Sequence, residues 1–284
     1  MTRILLWAAR MAAVVALFAP PALAFEVTGL AHPQSFIVDE ATGKYYISNV
    51  QGRPASKDNH AFITLLDADG NVETLKLVEG GKNGVTLHAP KGIAIAGNTL
   101  YVADIDCVRG FDKATGAPVA DIDLSPMKAK YLNDVAIGPD GKIFASDTVG
   151  GQIFLINPAK GNAVEVFATG KALDSPNGMV FGKKRNKLFV TLGRGMVGAL
   201  DMAGKLEILA TLPARGLVGL DMDVDGTLFV SSFTRGHLYK LGADYKPVLL
   251  THGLVGPMNI SLDKKKRLIL VPLFLKHRAF TIEY

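Results

Sequence analysis

Along the chain, short apolar runs with two-residue alternation are separated by turn residues, and no segment sustains a 3.6-residue period. This pattern predicts strands throughout and few helices. One motif recurs: a small or polar lead-in that often carries Pro, an apolar strand, a turn and a second apolar strand. The copies are HPQSFIVDEATGKYYISNV from His32, APKGIAIAGNTLYVADI from Ala89 and YLNDVAIGPDGKIFASDT from Tyr131. Then come SPNGMVFGKKRNKLFVTLG from Ser175, GLVGLDMDVDGTLFVSSF from Gly216 and GPMNISLDKKKRLILVPLF from Gly256. Their starts lie 57, 42, 44, 41 and 40 residues apart. A period of about 40–45 residues with four short strands per unit is that of a β-propeller blade. The long first interval holds an insertion around residues 51–59.

In the third unit the expected strands are 134–138, 142–148, 152–157 and 163–169, with Pro139-Asp140-Gly141, Gly150-Gly151 and Lys160-Gly161-Asn162 as turns. The sixth unit runs out after its third strand, 278–284, while residues 25–30 read as a fourth strand leading into a first. The predicted fold is therefore all-β: one six-bladed propeller over 25–284, its ring closed by the mature N-terminal strand. Closure removes sheet edges that would invite aggregation. The rivals are an open β-sandwich and a seven-bladed ring; six countable units favour six blades.

The first 24 residues stand apart. Arg3 supplies a basic start, apolar runs flank Arg10, Pro20-Pro21 breaks the second run, and Ala22-Leu23-Ala24 fits a cleavage signal. The expectation is a signal peptide, 1–24, and a periplasmic or secreted mature chain without a membrane span; an uncleaved anchor is the rival. Cleavage removes two Arg and no acid, lowering the net charge from +5 to +3. It also removes the only Trp, Trp7, which weakens readings that need Trp platforms for sugar stacking. At 49% hydrophobic and 20% charged, the chain is not of disordered composition. One Cys, Cys107, cannot build a disulfide scaffold. There is no Gly-x-Ser-x-Gly, phosphate loop or dinucleotide glycine pattern.

These repeats resemble the six-bladed propellers of the senescence marker protein/gluconolactonase/LRE-like family, the regucalcin type, and YVADIDCVRGFD from Tyr101 is similar to a degenerate NHL repeat. The resemblance covers essentially the whole mature chain. It implies a divalent cation on the axis, held at the starts of the innermost strands by a Glu, two Asn and an Asp that also serves as base. By repeat position the ring here reads Gln34, Lys91, Asn133, Asn177, Val218 and Met258. Asn133 and Asn177 match the two Asn, whereas Gln34 replaces the Glu and Val218 the Asp. A hard cation such as Ca²⁺ draws most of its attraction from carboxylates, so any Ca²⁺, Mn²⁺ or Zn²⁺ site is degenerate. Asp134 is the candidate substitute base; Asp221 lies three residues beyond Val218, out of phase on a strand.

On the rim of the same face the sequence places Asn49 and Arg53, then Asp104, Asp106 and Asp147, then Arg194, Arg235, Lys276, His277 and Arg278. This reads as an acidic half and a basic half. Arg194 and Arg235 occupy equivalent Gly-Arg-Gly and Thr-Arg-Gly turns and suit bidentate capture of carboxylate or phosphate; the bland reading is solvated loop charge. Lys183-Lys184-Arg185 and Lys264-Lys265-Lys266 read as solvated hairpin tips, not a nucleic-acid surface. His32, His88 and His252 precede first strands, either as general bases or as hydrogen-bonded structural groups.

Two functions are expected from this reading. The first is an exported propeller that binds a small anionic ligand or a periplasmic protein at the axial mouth, with Gln34, Lys91, Asn133 and Asn177 on the floor and Arg194 and Arg235 on the rim. The second is a metal-dependent lactone or ester hydrolase. A strictosidine synthase-type propeller would need a catalytic Glu at the mouth, and no residue fits.

Overall fold

The computed structural model describes residues 23–284. The expected signal peptide, 1–24, lies outside them except for Leu23 and Ala24. Among the described residues, 24 strands form six four-stranded antiparallel sheets. The fold is the expected all-β, six-bladed propeller, and among the described residues the only helical elements are three-residue 3₁₀ turns. Five blades are continuous in sequence. The sixth joins Ser261–Asp263, Leu268–Leu273 and Arg278–Glu283 to Leu23–Val27, which pairs antiparallel with Arg278–Glu283 as the outer strand. That strand begins two residues before the expected cleavage point.

Blade three consists of Leu132–Ile137, Ile143–Asp147, Gln152–Asn157 and Ala163–Thr169. Its outer two strands match the sequence reading residue for residue, and its inner two differ by one or two positions. The turn at Pro139–Gly141 works because Asp140 and Gly141 take positive φ, which Gly and Asp tolerate. The insertion near 51–59 is a loop between the second and third strands of blade one, Tyr45–Asn49 and Phe62–Leu66.

Hydrophobic burial lies chiefly between blades, with one small cluster of Val50, Ala89, Ile105 and Phe274 joining the loops of blades one, two and six. Six apolar clusters each span one seam between neighbouring blades, such as Tyr46, Ile63, Ile93, Val102 and Phe111 between blades one and two. The seam between blades six and one includes Val27, Leu30, Phe36, Leu268 and Leu270. Alternation puts one face of each strand against one neighbour and the other face against the next.

The innermost strands set the axial ring. In four blades their pairing register shifts at the ring residue: at Gln34, at Lys91-Gly92, at Asn133 and at Val218-Gly219. Such a bulge inserts one extra residue and re-aims a side chain. The following positions form a second layer, read as Ser35, Gly92, Asp134, Gly178, Gly219 and Asn259. The glycines are required by close approach: a Cβ at Gly178 would overlap the Val218 carbonyl, and one at Gly92 the Asp134 carboxylate.

Candidate functional site

Loops between second and third strands, and those leading into first strands, share one face of an antiparallel propeller. Hydroxyls from the second strands fix the ring beneath this face. Ser48 Oγ donates to the Lys91 carbonyl at 2.7 Å and accepts from Ser35 N–H at 3.0 Å. Ser146 Oγ does the same between the Asn177 carbonyl, 2.8 Å, and Asp134 N–H, 3.0 Å. Ser231 Oγ repeats it between the Met258 carbonyl, 2.6 Å, and Gly219 N–H, 2.8 Å, and Thr191 Oγ1 donates to the Val218 carbonyl. Each hydroxyl ties a blade to its neighbour's ring residue. The signal was present in the sequence as Tyr-Ile-Ser, Phe-Ala-Ser, Phe-Val-Thr and Phe-Val-Ser in units one, three, four and five, and the sequence reading did not use it.

Gln34 and Lys91 are buried, and Asn133 is 8% exposed; Asn177 and Met258 are half-buried. Lys91 Nζ donates to the Ala89 carbonyl at 3.0 Å and lies 4.2 Å from the centre of the Tyr131 ring. Burial lowers its pKa to about 8, against the nearby Asp104 charge. Gln34 Oε1 is buried without a hydrogen-bond partner. Asn133 Nδ2 donates to Thr148 Oγ1, which donates to the Pro176 carbonyl just before Asn177. Of the proposed floor, then, Asn177 is the residue that meets solvent most openly.

Asp134 does not face the mouth as a free base. Its Oδ2 accepts Met179 N–H at 2.7 Å and its Oδ1 accepts Asn259 Nδ2 at 2.7 Å. Burial, opposed by these bonds, raises its pKa to about 7. It borders a cavity of about 180 Å³, shared with Ser35, Asp221 and Asn259, at the other end of the axis. Asp221 accepts Met222 and Leu262 N–H there, 4.0 Å from Lys264 Nζ, and burial raises its pKa.

The divalent cation implied by the resemblance does not fit these residues. The ring offers amide oxygens and one ammonium, and the nearest carboxylate is committed on both oxygens. Among the described residues no group of three or more His, Cys, Asp or Glu is placed to hold a metal.

The rim differs from its sequence reading. The acidic half is not free charge. Asp104 is buried and accepts His88 and Ala89 N–H and Arg109 Nε, the last at 2.6 Å. Asp147 is buried and accepts Lys130, Tyr131 and Gly150 N–H. Asn49 repeats the role with Ala31 N–H. Asp106 pairs with Lys57 at 2.6 Å. Asp104, Asp147 and Asn49 thus anchor the lead-in of their own blade. Arg194 is 83% exposed at its side chain, 3.5 Å from Asp174, and Arg235 is exposed. Arg215, missed by the sequence reading, is exposed on the lead-in to Leu217–Met222; its carbonyl accepts Ser232 Oγ and Thr234 Oγ1.

The histidines divide. His32 packs against His277, 4.3 Å between the centres of the tilted rings, and against Phe274, 4.7 Å. His32 N–H donates to His277 Nδ1. Burial, then the His277 charge, lowers the His32 pKa. His88 Nδ1 accepts Asn59 N–H. His252 is exposed.

No family model matches the chain, and no curated protein matches it in sequence. Solved structures match its fold. Virginiamycin B lyase from Staphylococcus aureus is similar with a TM-score of 0.66 at 13% identity, over 92% of this chain and 98% of that one. A protein of unknown function from Bacteroides thetaiotaomicron is similar at 0.68 and 15% identity, over 92% and 73% of the two chains. A streptogramin B lyase is similar at 0.61 and 14% identity, over 94% and 96%. The likeness is one of propeller fold; at these identities it carries no chemistry across.

Proposed function

We propose that this propeller is an exported, periplasmic or secreted binding protein that takes a small anionic ligand, or the acidic surface of a protein partner, at its axial mouth. The observation that carries the reading is the trio Arg194, Arg215 and Arg235, exposed on adjacent blades, while the acids of the same face are buried or paired. Guanidinium forks suit carboxylate and phosphate. Asn177 supplies a neutral polar contact on the floor, and Lys91 adds positive potential from below.

The test is calorimetric titration with a panel of small carboxylates and phosphates. Arg194→Ala with Arg235→Ala should weaken a binding anion at least about tenfold, since each charged hydrogen bond is worth about 1.5–3 kcal/mol. Unchanged affinity, or no anion bound at millimolar concentration, overturns the reading. The second reading, a metal-dependent lactone or ester hydrolase, is favoured by Asn133 and Asn177 in the matched positions and opposed by the committed carboxylate of Asp134. Stoichiometric Ca²⁺, Mn²⁺ or Zn²⁺ binding lost in Asn177→Ala would favour it.

A further inference from the structure

The rim of blades three to six carries more than the arginine trio. Lys128 and Lys130 precede Leu132–Ile137, Lys171 lies before Met179–Gly182, and Lys276 lies in the Phe274–Lys276 turn of blade six; all are exposed. Among the described residues none of these four lysines forms an ion pair within 4.0 Å. The carboxylates along this arc are all partnered. Asp147 holds backbone N–H groups, Asp123 accepts Ser125 N–H, Asp174 sits by Arg194 and Ser175, and Glu26 pairs with Arg278 at 2.8 Å.

Between the cations stand apolar tips. Val149 is 62% exposed in the blade-three loop, Val255 is 41% exposed on the lead-in to blade six, and Leu275 is 53% exposed in its turn. A protein interface of ordinary kind has a contiguous apolar centre and a polar rim. Here single aliphatic tips stand apart from one another, in blades three and six, among cations of blades three, four and six. That layout fits a flat, deformable, anionic surface, in which each tip enters separately and each cation meets a headgroup.

We infer that this face docks peripherally on membranes rich in anionic lipid, through Lys128, Lys130, Lys171 and Lys276 with Leu275 and Val149 as shallow inserts. The inference is independent of the small-anion reading, since it rests on the outer lysines and apolar tips rather than the arginine trio.

The experiment is co-sedimentation with vesicles of phosphatidylcholine alone or with about a third phosphatidylglycerol. The protein is used as the expressing cell delivers it, with its N-terminus identified by mass spectrometry. Binding is expected to the anionic vesicles only and to fall steeply at high salt, where screening shortens to a few ångströms. Lys128→Glu, Lys130→Glu and Lys171→Glu together should weaken it by at least about tenfold, given the usual contribution of each surface cation, and Leu275→Ser by a smaller factor. Lys183→Glu with Lys184→Glu, on the opposite face, should leave it unchanged. Equal binding to neutral vesicles, indifference to the triple reversal, or equal loss from the opposite-face pair overturns the proposal. Retention on a polyglutamate matrix without vesicle binding overturns it in favour of a soluble acidic partner. Arg194→Ala with Arg235→Ala, run in the same assay, separates this docking from small-anion binding.

Discussion

Asp134 and Asn259 join opposed blades across the axis: the Asn259 amide Nδ2 donates to Asp134 Oδ1 at 2.7 Å, 125 positions apart in sequence. In a ring of six, blade three faces blade six, so this bond crosses the channel. Met179 N–H on the other oxygen ties in blade four. Three glycines in the same layer leave room for the pair. The carboxylate that the sequence offers as a base is thus a bolt through the centre of the fold, and its burial, against the pull of these bonds, is the reason its proton is held.

That proton makes stability depend on pH in a definite direction. Between the ordinary value of 3.8 and about 7 the native state keeps a proton that the unfolded chain releases. The stabilising contribution of Asp134 is full below 3.8 and is lost as pH rises through about 7. Each pH unit in that window is worth up to about 1.4 kcal/mol. Asp134→Asn, its amide turned to face a flipped Asn259, should therefore gain on the wild type by ~3–4 kcal/mol between about pH 4 and pH 7.5. Urea unfolding at both pH values checks this; a constant difference refutes it.

Gly92 and Asp134 occupy one space. A Cβ on Gly92 would overlap Asp134 Oδ1 and press on its Cα. Gly92→Ala should cost about 1–3 kcal/mol through overpacking. Asp134→Ala removes the obstructing carboxylate, so the double variant should be more stable than the sum of the singles by at least about 1 kcal/mol. Additive penalties in a denaturant double-mutant cycle would show that the two do not contact.

The blades were legible because each is local: strands, turns and period lie within about 40 residues, and the outer strands of blade three fall where alternation puts them. The ring positions were legible too, since repeats align them. Their availability was not. Lys91 is covered by Tyr131 from the next blade, Asp104 and Asp147 turn inward to lead-in amides, and Asn259 reaches Asp134 only because the ring closes. Burial of a polar side chain is decided by what packs over it, and here that neighbour comes from elsewhere in the ring. The rim cations were partly legible: Arg194 and Arg235 stand in repeated turns, whereas Lys128, Lys130 and Lys171 lie in lead-ins whose shared face follows from the assembled topology.

Arg109 holds a buried carboxylate in place. Its Nε lies 2.6 Å from Asp104 and its Nη1 2.8 Å from the exposed Asp121. Arg109→Leu leaves Asp104 with backbone partners alone and should cost about 3–5 kcal/mol, the usual effect of breaking a buried pair. Adding Asp104→Asn keeps an acceptor for the lead-in amides without the charge and should recover at least about 1 kcal/mol. Thermal and urea unfolding of the three variants test this; no recovery would mean that the penalty is lost packing of the arginine stem.

Cys107 should be inert in the folded protein. Burial, aided by Asp106, Asp121 and Asp123 and opposed by Arg109, pushes its thiol up to about 12. The thiolate is the reacting species, so a thiol reagent at neutral pH should label the native chain at least about a hundredfold more slowly than the urea-unfolded chain. Rapid native labelling would show that the Asp104–Cys107 turn opens readily.

The hydroxyls under the ring tie stability to the mouth. Ser146 links Asp134 N–H in blade three to the Asn177 carbonyl in blade four, and Ser231 links Gly219 N–H to the Met258 carbonyl. Alanine at either site leaves a donor and an acceptor unsatisfied, at a cost of about 1–3 kcal/mol each. The two should differ in function. Ser146→Ala frees the backbone that presents Asn177 and should weaken anion binding as well as the fold. Ser231→Ala acts at the Met258 carbonyl, away from Asn177, and should lower stability alone. Urea unfolding and calorimetry on the same two proteins decide the matter: equal loss of affinity in both would mean that the ring responds as one body, and loss in neither would place the ligand clear of Asn177.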